Sequence, residues 1–353
     1  MRIGIMTGGG DAPGLNAVIR AITKSLIHQC AAEVIGIEDG CLGLLERRTR
    51  PLDWRSVSGI AGFGGTVLGT SNRVSPVSYQ GRDRCDEVVA YTRELGLDGL
   101  VAIGGDGTMA IADALNRHGL ACIGVPKTID NDIAHVERSF GFDTAVATAT
   151  EALDRIQTTG QSHGRVMLVE TMGRHAGWIA LEAGVAAGAD VILLPEIAYD
   201  VEAIAAVCRR RESRQRFTVI CVAEGAAERG GSPVIQAPAV GTDGIVPVRL
   251  GGVAHVLTAQ LEPLLRSEVR ATVLGHVQRG GAPTATDRVL ATLYGDAAAH
   301  LVRIGAWGTM VSFEQGRIGR VPLGEVAGRT RRVPMDEPVL SCARRIGVSF
   351  GEP

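Results

Sequence analysis

A series of short, continuously apolar runs constrains this chain more than any other feature. They are "RIGIM" (2–6), "EVIGI" (33–37), "GLVAI" (99–103), "ACIGV" (121–125), "RVMLV" (165–169), "DVILL" (190–194) and "FTVICV" (217–222). None exceeds six residues, Val and Ile are frequent, and polar residues do not alternate through them. That pattern belongs to strands buried on both faces. Segments of helical length lie between them, such as "GLNAVIRAITKSLIHQ" (14–29) and "TAVATATEALDRIQTT" (144–159). Strands alternating with helices predict an α/β fold with mainly parallel sheets covered by helices. The series pauses near residue 140 and begins again, which implies two similar Rossmann-like units. Later come an aperiodic Gly/Pro stretch at 225–244, read as a loop or insertion, a helix at 253–266, a strand at 270–277 and a helix at about 285–303.

A chain of 353 residues has room for two such cores. Hydrophobic residues make up 45%, charged residues 21%, and the formal net charge is −2, so no global field favours nucleic acid or a membrane surface. The seven cysteines show neither a CxxC pair nor zinc-finger spacing, which reads as reduced and intracellular. "MRIGIMTGGG" leads directly into a strand and a glycine turn instead of a signal peptide, and the cytoplasm is the expected compartment.

In open α/β sheets, ligands sit past the carboxyl ends of strands. "TGGGDAPGLNAVIR" (7–20) follows the first run; its glycines allow close backbone approach, and the next helix offers unpaired N–H groups. A plain tight βα turn fits that stretch equally well. "GGDGTMAIADAL" (104–115) sets Gly104, Gly105 and Gly107 around Asp106, with Thr108 placed to cap a helix. Backbone amides there suit phosphate, and Asp106 suits a hard divalent cation or its own turn. In "PKTIDND" (126–132), an extended chain would put Asp130 and Asp132 on one side and Asn131 on the other. Two carboxylates side by side repel unless their tasks differ: one faces a cation, the other accepts a hydroxyl proton. A solvated acidic loop is the competing account of that stretch.

Anion-binding groups are as numerous. "ETMGRHAGW" (170–178) puts Gly173 and Arg174 at a helix entrance, "LGHVQRGG" (274–281) brings His276 and Arg279, and Arg165 and Arg270 stand at strand starts. Guanidinium forks match phosphate oxygens in pairs. A phosphate cradle with a metal ligand, a carboxylate base and an arginine clamp together suit phosphoryl transfer to a phosphorylated acceptor.

In their order and spacing, "GGGDAPGLNAVIR", "GGDGT", "PKTIDND", "MGRHAGW" and "GHVQRGG" resemble the phosphofructokinase family, bacterial type, over roughly residues 1–320. "GGDGT" alone is also seen in NAD and lipid kinases, but those would not explain "MGRHAGW" or "GHVQRGG". The resemblance implies an active site in the cleft between two domains. The nucleotide-binding domain would take residues 1–141 plus about 278–328, and the sugar-phosphate domain 142–277 plus about 329–353. It implies ATP-dependent phosphorylation of the 1-hydroxyl of fructose 6-phosphate with Mg2+. Asp130 is then the base, with Arg174 and Arg73 at the transferring phosphate. Asp106 and Asp132 are the metal residues. Gly9, Arg73, Gly105, Asp106, Gly107 and Thr108 hold the nucleotide. The sugar-phosphate site takes Thr128, Ile129, Asp130, Met172, Gly173, Arg174 and Glu224, together with His276, Val277, Gln278 and Arg279. Arg165 and Arg270 belong to that site too and reach into a neighbouring subunit, so a homo-oligomer, commonly a tetramer, is implied.

Within the family, two positions track the phosphoryl donor. Gly107 is the ATP form, leaving room for the nucleotide's α-phosphate, whereas Lys127 is the pyrophosphate form. The mixture resembles a mixed-substrate branch of the family. Sterics exclude more firmly than one cation attracts, so the expectation is ATP, with a pyrophosphate-dependent phosphotransferase as the alternative. Arg73 in "LGTSNRVSP" stands one place later than the usual arginine. Arg20 and Lys24 fall where regulated members carry two effector-binding arginines, and Asp190 replaces a glutamate; regulation by ADP or phosphoenolpyruvate is not expected. A non-catalytic sensor would have lost part of the set Asp106, Asp130, Asp132 and Arg174, all of which are present.

Overall fold

The structure is a computed structural model and describes residues 1–213, 217–237 and 249–353. In chain order its strands are β1 (Arg2–Thr7), β2 (Glu33–Ile37), β3 (Thr49–Leu52), β4 (Gly99–Gly104), β5 (Cys122–Pro126), β6 (Val166–Thr171), β7 (Val191–Leu193), β8 (Thr218–Ala223), β9 (Ile235–Ala237), β10 (Arg249–Leu250), β11 (Val269–Val273), β12 (Thr309–Glu314) and β13 (Arg317–Pro322). The chain divides into two compact units. The first contains Met1–Asp143 and Arg279–Thr330; the second contains the described residues of Thr144–Pro238 and Val248–Gln278, with Arg331–Pro353.

The first unit is built on a seven-stranded sheet in the order β13-β12-β5-β4-β1-β2-β3. Its interior pairs are parallel, while β3 and β13 close the two edges antiparallel. Burial explains the continuous apolar runs: every residue of β4 and β5 is buried, as befits strands covered on both faces. The edge strands escaped the apolar-run pattern for a physical reason. β3 reads "TRPL", mostly half-buried, and β13 "RIGRVP", mostly exposed, and Pro is tolerated at an edge where one N–H need not pair. Helices Leu15–Cys30 and Ala285–Arg303 pack together against the sheet. Tyr294 on the second of these lies 6.2 Å from Phe140 and 6.1 Å from Phe313, centroid to centroid.

The second unit has a parallel four-stranded sheet, β11-β6-β8-β7. Beside β7, Ser349 near the carboxyl end forms an isolated parallel bridge to Val191. The core joins Val166, Leu168, Ile220 and Val222 to Val253 and Leu257 of the helix Val253–Leu261. That helix stops five residues before the expected 266, continuing as a 3-10 turn, Glu262–Leu264, with Pro263 in it. The strand expected at 270–277 stops at Val273, and Gly275–Arg279 winds into a 3-10 turn. Of the aperiodic stretch 225–244, residues 238–244 lie outside the described residues; before them, β9 pairs antiparallel with β10. Among the described residues no helix is long and apolar enough to cross a membrane.

Candidate active site

In the first unit, four chain turns meet past the carboxyl ends of β1, β4 and β5. Gly9 adopts a left-handed φ of 76°, its N–H donates to the Ser71 carbonyl at 3.1 Å, and the Thr70 hydroxyl donates to its carbonyl at 2.7 Å. This ties the first glycine turn to the segment that carries Arg73, whose side chain is exposed. Asn16 fastens the preceding stretch: its amide donates to the Phe63 and Gly64 carbonyls, each at 3.1 Å, and accepts from Val67 N–H at 2.7 Å. Arg279 donates to the Asp11 carbonyl at 3.0 Å, bringing the end of the "GHVQR" turn to the same glycine loop.

The "GGDGT" turn departs from expectation at Thr108. Helix Asp106–Arg117 begins on Asp106 with Gly105 at its N-cap and no side-chain cap, so Thr108 is already inside the first turn. Its buried side chain instead fills the space beside two glycines. A Cβ at Gly104 would sit 2.2 Å from the Thr108 hydroxyl, and one at Gly8 would sit 2.7 Å from it. Gly107 is different: a Cβ there would meet no atom within 4 Å. Nothing in the protein itself therefore demands glycine at 107.

In "PKTIDND", Lys127 still bridges Phe140 in parallel, but the chain turns farther on, where Asn131 takes a left-handed φ of 54°. Asn131 is buried, and its amide stitches the loop by donating to the Glu137 carbonyl at 3.0 Å and accepting from Ser139 N–H at 2.9 Å. Thr128 holds both flanking acids. Its hydroxyl accepts from Asp130 N–H at 3.0 Å and donates to the Asp132 carboxylate at 3.2 Å. Ile129 is fully buried and anchors the loop. Asp130 and Asp132 thus share surroundings through a turn, not through strand alternation.

The electrostatics of this loop are unfavourable by construction. Burial pushes Asp132 up to about 7, and the charges of Asp130 and Asp106 add to the shift. Carboxylates from two strand ends therefore act on Asp132. Buried Lys127 sits beside them, with its ammonium donating to the Gly10 carbonyl. Burial lowers it to about 8, Arg279 pushes the same way, and Asp11, Asp130 and Asp132 oppose. A set of hard oxygen donors that repel one another next to glycine turns suits a divalent cation and a polyphosphate.

In the second unit, the turn after β6 carries Met172, Gly173 and Arg174. Gly173 has a φ of 129°, and a Cβ on it would stand 2.8 Å from the Ala176 carbonyl. This turn packs directly on the one after β8: Gly225 N–H donates to the Gly173 carbonyl at 3.2 Å, and Glu224 N–H to the Thr171 carbonyl at 2.9 Å. Gln278 is fully buried; its amide accepts from Met172 N–H at 3.4 Å and donates to the Gly275 carbonyl at 3.1 Å. His276 and Val277 of the same turn are exposed. Met172, Gly173, Arg174, Glu224 and Gln278 are thereby assembled together.

The helix entrance expected beside Arg174 is already satisfied. Helix Trp178–Ala186 starts four residues later, and Glu196 accepts from Gly177 N–H at 3.1 Å, and from Val333 N–H at 2.9 Å. Glu170 acts similarly, accepting from Gly252 and Ala254 N–H at 2.8 and 2.9 Å at the start of helix Val253–Leu261. Arg165, just before β6, and Arg270, on the neighbouring strand β11, both bond to the Glu268 carboxylate. Sequence reasoning missed Glu268. Its only signal was position, since a residue just before β11 lies beside Arg165 once the strands pair in parallel. Asp190, at the position read as replacing an effector-site glutamate, is engaged by Arg211 at 2.9 Å and by Val219 N–H at 2.9 Å.

The family model for phosphofructokinase matches residues 2–302. The chain belongs to the phosphofructokinase family. Relatives with each donor named are similar to it throughout. An ATP-dependent 6-phosphofructokinase of Chloroflexus aurantiacus is 48% identical, covering 99% of this chain and 98% of that protein. A pyrophosphate–fructose 6-phosphate 1-phosphotransferase of Streptomyces coelicolor is 46% identical, covering 99% of this chain and 100% of that protein. Among solved structures, phosphofructokinase from Saccharomyces cerevisiae matches with a TM-score of 0.80 and 32% identity over 92% of this chain. This chain spans 45% of that yeast chain.

Proposed function

We propose that this chain transfers the terminal phosphoryl group of ATP to the 1-hydroxyl of fructose 6-phosphate, the phosphofructokinase step of glycolysis, in the cytoplasm. The observation that carries this reading is the buried Asp132, raised by burial and by the charges of Asp130 and Asp106, beside the glycine turns and Lys127. In this reading the first unit binds the nucleotide through Gly9, Arg73 and the 105–108 turn. The second unit binds the sugar phosphate through Met172, Gly173, Arg174, Glu224, His276, Val277 and Gln278, joined by Thr128, Ile129 and Arg279 of the first.

Asp130 takes the proton of the attacking hydroxyl; Thr128 fixes its backbone, and the neighbouring acid keeps negative charge close by. Arg174 and Arg73 offer cationic forks to the transferring group. The donor set fits Mg2+, with Asp106 and Asp132 as its residues, and when bound the ion would neutralise charge on the transferred phosphate. Arg165 and Arg270 complete a neighbouring subunit's sugar-phosphate site in a homo-oligomer, a tetramer by the family pattern.

The open space at Gly107 favours ATP, because an α-phosphate can occupy it. Lys127 is the specific feature that keeps pyrophosphate as the second reading. The test is a coupled assay on fructose 6-phosphate with each donor, using the natural chain and Gly107→Asp. Turnover with ATP is expected, and the substitution is expected to fold normally and to lower kcat/KM for ATP by on the order of 100-fold or more. Activity with pyrophosphate and none with ATP would overturn the choice of donor.

A further inference from the structure

Outside this machinery, the first unit gathers a second set of metal-binding side chains. Asp83, Cys85 and His118 each offer one ligand atom, and these atoms all lie within 4.8 Å of one another. The donors come from two elements that the sheet places side by side. Asp83 and Cys85 open helix Cys85–Glu94, and His118 is the C-cap of helix Asp106–Arg117. We propose that this trio is a binding site for a single Zn2+ ion, distinct from the acids assigned to Mg2+.

The donor chemistry selects the metal. Thiolate with imidazole is a soft to borderline pair that holds Zn2+ and is refused by Mg2+ and Ca2+. Ligands around a tetrahedral zinc lie roughly 3.5 Å apart, so atoms already within 4.8 Å of one another need at most a small closure when the ion enters. Asp83 is exposed, and its Oδ1 accepts from Cys85 N–H at 2.8 Å, which already holds the carboxylate beside the buried thiol. The ring is also prepared. His118 Nδ1 hydrogen-bonds the Asp86 carboxylate at 2.8 Å, and a proton held there leaves Nε2 with the lone pair a metal takes. A carboxylate behind a ligating imidazole is the usual support of a zinc histidine. Three protein ligands leave a fourth position for water.

The charges balance in the same sense. Cys85 binds as thiolate, and its proton passes to solvent as the metal enters. In the metal-free chain, burial and the hydrogen bond to Asp83 push this thiol up to about 12. Zn2+ offsets most of the charge of the two acids and the thiolate; Arg117, whose charge also acts on Cys85, is itself paired with Asp113 at 2.9 Å. Bound zinc joins the start of one helix to the end of the other. The second of these helices begins at the opposite end with the "GGDGT" turn.

The experiment uses the full chain, stripped with chelator and kept in excess Mg2+ so that hard-oxygen sites are occupied. Titration with Co2+ is expected to give a sulfur-to-metal charge-transfer band at equimolar metal, and Zn2+ is expected to abolish it and raise the thermal midpoint. Cys85→Ser and His118→Gln should each remove the band, Cys342→Ser should retain it, and Asp86→Asn should weaken Zn2+ binding by about 10–100-fold. His118 and Asp86 are 35% and 90% exposed, so those two variants decide the matter even if Cys85→Ser fails to fold. No band in the natural chain, or a band that survives His118→Gln, would overturn the assignment.

Discussion

In the unit that holds β1 to β5, Asp132 is held near pH 7 because two other carboxylates and burial surround it. In the unit that holds β6 to β8 and β11, Arg165 and Arg270 both rest on Glu268, and helix starts are capped by Glu170 and Glu196. One unit gathers carboxylates around a buried acid, and the other sets an acid between two arginines. The first condition costs stability and is a common mark of functional sites. The second costs little and leaves cations that a competing phosphate can draw away. Both units carry parallel strands, and what separates them is whether the charged groups gathered there are alike or opposite.

Three substitutions put that contrast at risk. The largest effect is expected from Asp130→Ser, which should slow turnover by on the order of 10²–10⁴ with little change in substrate affinity. Near-normal steady-state turnover would remove the base from the first unit. Next comes Asp132→Asn, read by chemical denaturation in chelator. The carboxyl keeps its proton to about pH 7 when folded but only to 3.8 in the ordinary state. The natural protein should therefore lose stability as pH rises from about 4 through 7. By that linkage Asp132→Asn should be the more stable by on the order of 2–4 kcal/mol at pH 8, with the gap vanishing below pH 4. Mg2+ should shrink the gap. A pH-independent difference would show that the acids do not strain one another. The smallest effect belongs to Glu268→Gln. Its partners are partly exposed, so stability should change by less than about 1 kcal/mol, and less still at high salt. A larger loss would make the second unit as dependent on its charges as the first.

Much of the fold was legible because the interior strands are buried on both faces and had to be continuously apolar. Edge strands β3 and β13 gave no such signal, since one of their sides faces water. At the site, Asp106, Asp130 and Asp132 could be chosen from residue type and position after strands. The reason for Asn131 could not, because a left-handed turn and two hydrogen bonds to residues 137 and 139 define its work. Thr108 is similar: its sequence position suggested a cap, but the space left by Gly8 and Gly104 made it a packing residue.

The order of residues alone determined the alternation of strands and helices, the family, and the identity of the charged groups available for phosphoryl transfer. These depend on local periodicity and on motifs read in sequence. Only the tertiary structure decided which charges face each other, because strand pairing and helix packing join residues distant in the chain. Parallel pairing brought Arg165 to Glu268, two helix ends brought His118 to Cys85, and neighbouring strand ends made Asp132 an acid that its own surroundings resist ionising.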